Sequence, residues 1–151
     1  QDTHIDAWTP TGNFSTSPTL ALRATGIRGV LLRFDLSGLP AGATVVEAQL
    51  GLYALSRTNT SNLTVQAYDV YRPWNVTQAT WEVAAASQPW QTAGCHGPAD
   101  CEATPRASAV WDHEEAWSAF DLRDLVQQWV DAPDSRSVTA RFSASCMFFV
   151  T

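Results

Sequence analysis

The stretch from Arg28 to Leu55, RGVLLRFDLSGLPAGATVVEAQLGLYAL, constrains the fold more than any other part of the chain. Val30, Leu32, Phe34 and Leu36 alternate with Leu31, Arg33 and Asp35, the period of a strand with one fully apolar face. The segment SGLPAGA then supplies two glycines and a proline, which is turn chemistry. Beyond it, Ala48, Leu50, Leu52 and Ala54 alternate with Glu47, Gln49, Gly51 and Tyr53. Two amphipathic strands joined by a loop too short for a helical crossover are expected to run antiparallel. One face of each needs a cover that the rest of the chain must provide.

Composition narrows the class. A hydrophobic content of 45% excludes a disordered chain, and 151 residues can bury a core without metal or many disulfides, so one domain over residues 1–151 is expected. No apolar run reaches the length of a membrane span, and membrane insertion is not expected. The net charge is −6, with nine arginines and no lysine, which argues against nucleic acid and anionic membranes as partners. The missing lysines also remove the usual point-charge partners of acidic polysaccharides. The start at Gln1 is read as a processed chain from which a signal peptide has been removed, placing the protein outside the cell.

Taken in order, QDTHIDAW (Gln1 to Trp8) reads as an opening strand with Thr3, Ile5 and Ala7 on one face, and LALRA as a short strand leading into the central pair. Leu63 to Tyr71 is strand-like and rich in β-branched and aromatic residues. Ala107 to Val110 and Ala116 to Phe120 read as short strands, and a last strand spans roughly Val138 to Val150. One helix is expected, over Asp121 to Val130. Leu122, Leu125, Val126 and Trp129 fall at i, i+3, i+4 and i+7, with Asp121 as N-cap, Asp124 in the first turn and Pro133 beyond the end. Many short strands and one short helix near the C-terminus predict an all-β fold, an antiparallel jelly-roll-like β-sandwich.

Candidate sites are few. Cys95 and Cys101 bracket HGPAD and are read as a local disulfide; the rival is a metal site with His96, for which the spacing is poor. Cys146 is left over, either as a buried thiol or as an intermolecular bridge. Four Asn-x-Ser/Thr sequons stand at Asn13, Asn59, Asn62 and Asn75, candidates for glycosylation. Asp112 to Glu115 (DHEE) reads as a solvated loop, with a cation site as the alternative. Of seven tryptophans, Trp129 belongs on the helix's apolar stripe, and Trp74 and Trp81 are assigned to the core. Trp90 and Trp111 border long loops and are chosen as the aromatics for a glycan or an interface. There is no Gly-x-Ser-x-Gly elbow, HExxH or phosphate loop, so no catalytic residue is assigned and the chain is not expected to be an enzyme. No cofactor is expected.

The opening QDTHID, the segment GNFSTSPTLAL and the block RGVLLRFDLSGLPAGATVVEAQLGLY resemble DNRLRE-type modules, jelly-roll-like β-sandwiches related to carbohydrate-binding modules. Trp74 and Trp81, with Thr80 before the second, and FDLRDLVQQW from Phe120 to Trp129 match the same pattern. The likeness covers about residues 1 to 130. Val76 stands where relatives usually carry an acidic residue, Ser15 where they carry glycine, and the segment after the helix is short. The resemblance implies a non-catalytic secreted module, appended to polysaccharide-active enzymes or found in surface proteins. Some relatives bind acidic glycans, and modules of this sort often hold a structural calcium; no EF-hand-like ligand spacing is present here.

Two functions follow as expectations. The preferred one is a structural or adhesive subunit that pairs with copies of itself or with other surface proteins. In this reading Cys146, Met147, Phe148, Phe149 and Val150 contact the neighbour, since CMFFVT on a free sheet edge is a template for strand addition and a head-to-tail contact would build a filament. The bland arrangement is that the same strand folds back into its own sandwich. The alternative function is a carbohydrate-binding module of a secreted polysaccharide-active enzyme, with polysaccharide as partner.

Overall fold

In the computed structural model, residues 1–40, 42–58, 61–132, 137–144 and 148–150 are described, the last two stretches as backbone only. The strands β1 (Asp2–Asp6), β2 (Leu20–Leu22), β3 (Arg28–Asp35), β4 (Gln49–Arg57) and β5 (Leu63–Asp69) come first. A short pair follows, β6 (Val83–Ala85) and β7 (Gln88–Pro89), then β8 (Ala107–Trp111) and β9 (Ala116–Asp121). The helix α1 (Arg123–Asp131) precedes β10 (Ser137–Ala144) and β11 (Phe148–Val150).

Five strands form one sheet in the order β1-β3-β10-β5-β8, and four form the other in the order β2-β11-β4-β9. Neighbours in both sheets are antiparallel. Apart from the step between β5 and β8, each main strand lies in the sheet opposite its predecessor, the wiring of a jelly-roll-like sandwich. The fold class is therefore the expected one: all-β and antiparallel, with one short helix.

The two strands of the Arg28–Leu55 stretch are strands with the expected apolar faces, but they do not pair. β3 lies between β1 and β10 in the five-stranded sheet, and β4 between β11 and β9 in the other. Their connection crosses the sandwich, so Val30 and Leu32 meet Leu52 and Ala54 across the core instead of along a ladder. Trp111, Phe120, Leu122, Leu125 and Trp129 complete this core. The helix stripe packs as predicted, and its Trp129 Nε1 donates to Asp69 Oδ1 at 3.0 Å. The N-cap position is Leu122, without a side-chain cap; Asp121 instead accepts the Arg123 N–H on its Oδ1 at 3.0 Å. Gln127 ties the crossing segment to the helix, its Oε1 accepting from Val45 N at 2.7 Å and its Nε2 donating to Ala43 O at 3.1 Å.

A second core was not expected. Leu31 alternates out of the main core, yet it is buried with Ile5 on the opposite face of the five-stranded sheet. The excursion from Val70 to Cys101 covers it with Val70, Trp74, Ala79, Ala84, Trp90, Cys95 and Cys101. Thr80 shapes that excursion: its Oγ1 accepts the N–H of Glu82 and Val83, and its carbonyl accepts from Trp90 Nε1 at 2.9 Å.

The C-terminal segment also differs from expectation. It holds two strands instead of one, and each fills an interior position: β10 pairs with β3 and β5, and β11 with β2 and β4. Phe148, Phe149 and Val150 thus have backbone partners on both sides within their own sheet, the fold-back arrangement. Cys146 and Met147 lie outside the described residues.

Candidate functional site

β9 is the edge strand of the four-stranded sheet. Its alternation sends Phe120 into the core and Trp117, Ala119 and Asp121 to the outer face. Trp117 is 71% exposed, the highest value of any tryptophan in the chain. Two residues of β4 hold it in place. Tyr53, its register partner, meets the indole edge-on with ring centroids 5.3 Å apart at 60°. Gly51 lies beneath the ring, where an added Cβ would come within 3.2 Å of Trp117 Cε3. Gly51 pairs with Ala119, so two small residues stand beside the indole on the outer face. Leu55 continues the same exposed face of β4. The result is a braced aromatic platform on an open sheet.

At the other end of β9 the edge strands of the two sheets flank a polar cleft of about 520 Å³. Ala107 and Ser108 of β8 form one side, Asp121 and the start of α1 the other, and the 102–106 loop closes it. Arg106 is held there by Glu102, with Nε 2.5 Å from Oε2, and by Gln128, with a terminal N–H 2.8 Å from Oε1.

A second exposed tryptophan, Trp8, is 57% accessible. Its ring is already covered by the guanidinium of Arg23, 4.0 Å from the centroid, and flanked by that of Arg28 at 5.3 Å. Arg28 in turn pairs with Asp6 at 2.8 Å. Unlike Trp117, this ring is therefore already engaged by the chain's own cations.

Trp90 and Trp111, the aromatics chosen from the sequence, are 4% and 1% exposed and cannot present a ring to a ligand. Trp90 belongs to the excursion and packs into the second core, and Trp111 ends β8 facing the main core, where it meets Phe120 edge-on at 6.5 Å. Both are corrected to core residues. Asn13 is corrected too. Its Nδ2 donates to Val76 O at 2.9 Å and Ala79 O at 2.8 Å, so the amide is committed to joining two loops and does not stand out as an acceptor for a glycan. Asn62 and Asn75 are exposed, and Asn59 lies outside the described residues.

Cys95 and Cys101 stand at the two ends of their loop, both buried, and the disulfide expected between them is not formed in this structure, where the Cys101 thiol lies 2.9 Å from the carbonyl oxygen of Cys95. Gly94 turns the chain there at φ +81°, and a Cβ at that position would overlap the Trp81 ring. Asp100 organises the rest of the loop from a fully buried position, accepting the N–H of Gln91 at 3.0 Å, Thr92 at 3.1 Å and Gly97 at 3.2 Å, with Arg72 as ion partner. Burial alone would raise its pKa; the Gln91 and Thr92 N–H groups and Arg72 outweigh burial and hold the carboxyl below the usual carboxylate range. Asp112 to Glu115 form the exposed crossing from β8 to β9, where His113 Nδ1 lies 2.5 Å from Asp112 Oδ1. Among the described residues no three His, Cys, Asp or Glu side chains group in a way that could hold a metal ion, and no helix is long and apolar enough to cross a membrane.

A two-sheet sandwich with an aromatic platform and a polar cleft along one edge has the form of a binding module. Comparison with known families gives the particular one: the model of carbohydrate-binding module family 96 matches residues 1–144, and the chain belongs to that family. The carbohydrate-binding-module part of the sequence resemblance holds; the DNRLRE designation is not the one the matching family carries. No curated protein matches the sequence.

Proposed function

We propose that the protein binds polysaccharide without cleaving it, through the outer face of β9 and β4, with Trp117 as the stacking residue. Membership of a carbohydrate-binding family supports the reading, and the exposure and bracing of Trp117 carry it to a site. A pyranose ring presents axial C–H groups on a flat apolar face, and an indole held against a sheet offers a matching surface with little conformational entropy left to lose. Covering one ring face removes on the order of 100 Å² of apolar surface from water. At about 25 cal/mol/Å² that gives roughly 2.5 kcal/mol before the losses of association. The module would serve as the targeting part of a secreted polysaccharide-active or surface protein.

Affinity electrophoresis through gels containing single polysaccharides tests this. The protein should be retarded by at least one, and Trp117→Ala should weaken that retention at least about tenfold while leaving the melting temperature within a few degrees. Retention of Trp117→Ala equal to the parent would refute the site.

A further inference from the structure

Resting on the proposed sugar platform at Trp117, we infer that the polar cleft at the far end of β9 is a second subsite on the same strand, so that the protein takes an extended stretch of a neutral polysaccharide. Trp117, Ala119 and Asp121 point to one face of β9. Four residues of extended chain separate the indole from the Asp121 carboxylate by about 13 Å. That span exceeds one sugar ring and calls for a chain of several.

The cleft carries the groups that sugar hydroxyls need. A guanidinium has five N–H donors, and Arg106 spends one on Glu102 and one on Gln128, so among the described residues three remain to be used. The two fixed bonds orient the fork before any ligand arrives. Asp121 uses Oδ1 for the Arg123 N–H and has its second oxygen to accept with. Ser108 adds an exposed hydroxyl from β8. Vicinal diols donate and accept together, which matches a guanidinium and a carboxylate facing across a groove.

Charge selects the class of glycan. The cleft sets the carboxylates of Glu102, Asp121 and Asp124 against the guanidiniums of Arg106 and Arg123, and Arg106 and Arg123 are each ion-paired there. At the platform end the chain enters β9 through Asp112, Glu114 and Glu115. A polyuronate would meet net negative charge at both ends of the strand, whereas a neutral chain meets none that opposes it.

The test uses the full chain against gels of a mixed-linkage β-glucan, a xylan, a galactomannan and polygalacturonate, followed by calorimetry with a disaccharide and a hexasaccharide of the polymer that binds. Retention by a neutral polymer, insensitive to added salt, with the hexasaccharide bound about tenfold more tightly than the disaccharide, is expected. Arg106→Gln and Asp121→Asn should each erase most of that length advantage and leave disaccharide binding intact, whereas Trp117→Ala should weaken both ligands. Should either polar variant lose its fold, Ser108→Tyr fills the cleft from an exposed position and should give the same length-selective loss. If the length advantage survives these variants while Trp117→Ala abolishes binding, the second subsite is wrong and the platform stands. If Trp117→Ala is silent, the platform is wrong and the inference with it. Salt-sensitive binding to polygalacturonate in preference to the neutral polymers overturns the class, and absence of retention in every neutral gel overturns both readings.

Discussion

Asp100→Asn is the sharpest probe of how the excursion over the second core is held. Asp100 is fully buried and acts as acceptor only: Oδ1 takes the Gln91 N–H and Arg72, and Oδ2 takes the N–H of Thr92 and Gly97. An asparagine is the same size but carries an NH2 on one side. Whichever way it is turned, that NH2 faces two donors, and Arg72 loses its counter-charge. Hydrogen bonds to charged groups contribute about 1.5–3 kcal/mol each, and removing one partner of a buried ion pair costs about 3–5 kcal/mol. A loss of roughly 4 kcal/mol is expected, out of a total on the order of 5–15 kcal/mol. For a chain of this size that lowers the melting temperature by roughly 8–16 °C. Thermal unfolding followed by circular dichroism measures it, and pH adds a second constraint. The folded pKa of Asp100 lies below its ordinary value of 3.8, so its contribution is present above that value and is lost as pH falls through the folded pKa. The gap between parent and variant should therefore be constant above about pH 5 and close in stronger acid. A gap below about 1 kcal/mol at pH 7, or one unchanged at pH 2, would refute this account of the loop.

Other expectations follow from the same description. Leu31→Asp should unfold the domain as completely as Leu32→Asp, because both side chains are buried although they point to opposite faces of β3; a soluble Leu31→Asp protein of unchanged stability would remove the second core. His4 is buried against Phe14 with ring centroids 4.3 Å apart, and burial, helped by Arg28 and opposed by Asp6, lowers its pKa to about 4 from 6.5. Between those values the unfolded chain binds a proton that the folded one does not, so stability should fall by roughly 3 kcal/mol as pH drops through the window and level off below it. His4→Leu should flatten that part of the curve, and parallel curves would contradict the assignment. We propose that Cys95 and Cys101 become disulfide-bonded under oxidising conditions; peptide mapping without reductant should recover them cross-linked, and alkylation of both in freshly isolated protein would refute the bond.

Much of the fold was legible because its strands alternate cleanly and its helix carries a four-residue apolar stripe. What escaped was long-range arrangement. Nothing local distinguishes a β3–β4 hairpin from two strands that face each other across a core, since the alternation Val30, Leu32 against Leu52, Ala54 is the same in both. Leu31 broke the pattern and was the one local hint that β3 is covered on both sides. Trp111 was also readable: Ala107, Ala109 and Trp111 share a face with two small residues that make room for the indole, while Ser108 and Val110 point outward. The same parity places Trp117 opposite Phe120, but only the pairing of β9 with β4 shows that it lies against Gly51 and Tyr53. The cleft at Arg106 joins segments from the 102–106 loop, β8 and the β9–α1 junction, a closeness that exists only once the sheets are stacked.

The central claim is that sugar stacks on Trp117, and the indole N–H signals report it directly. In a proton–nitrogen correlation spectrum of labelled protein, the Trp117 signal, assigned from Trp117→Phe, should shift progressively as an oligosaccharide of the bound polymer is titrated, while those of the buried Trp90 and Trp111 stay in place. Movement of the Trp8 signal with Trp117 unmoved would place the ligand on the arginine-covered tryptophan instead and contradict the account.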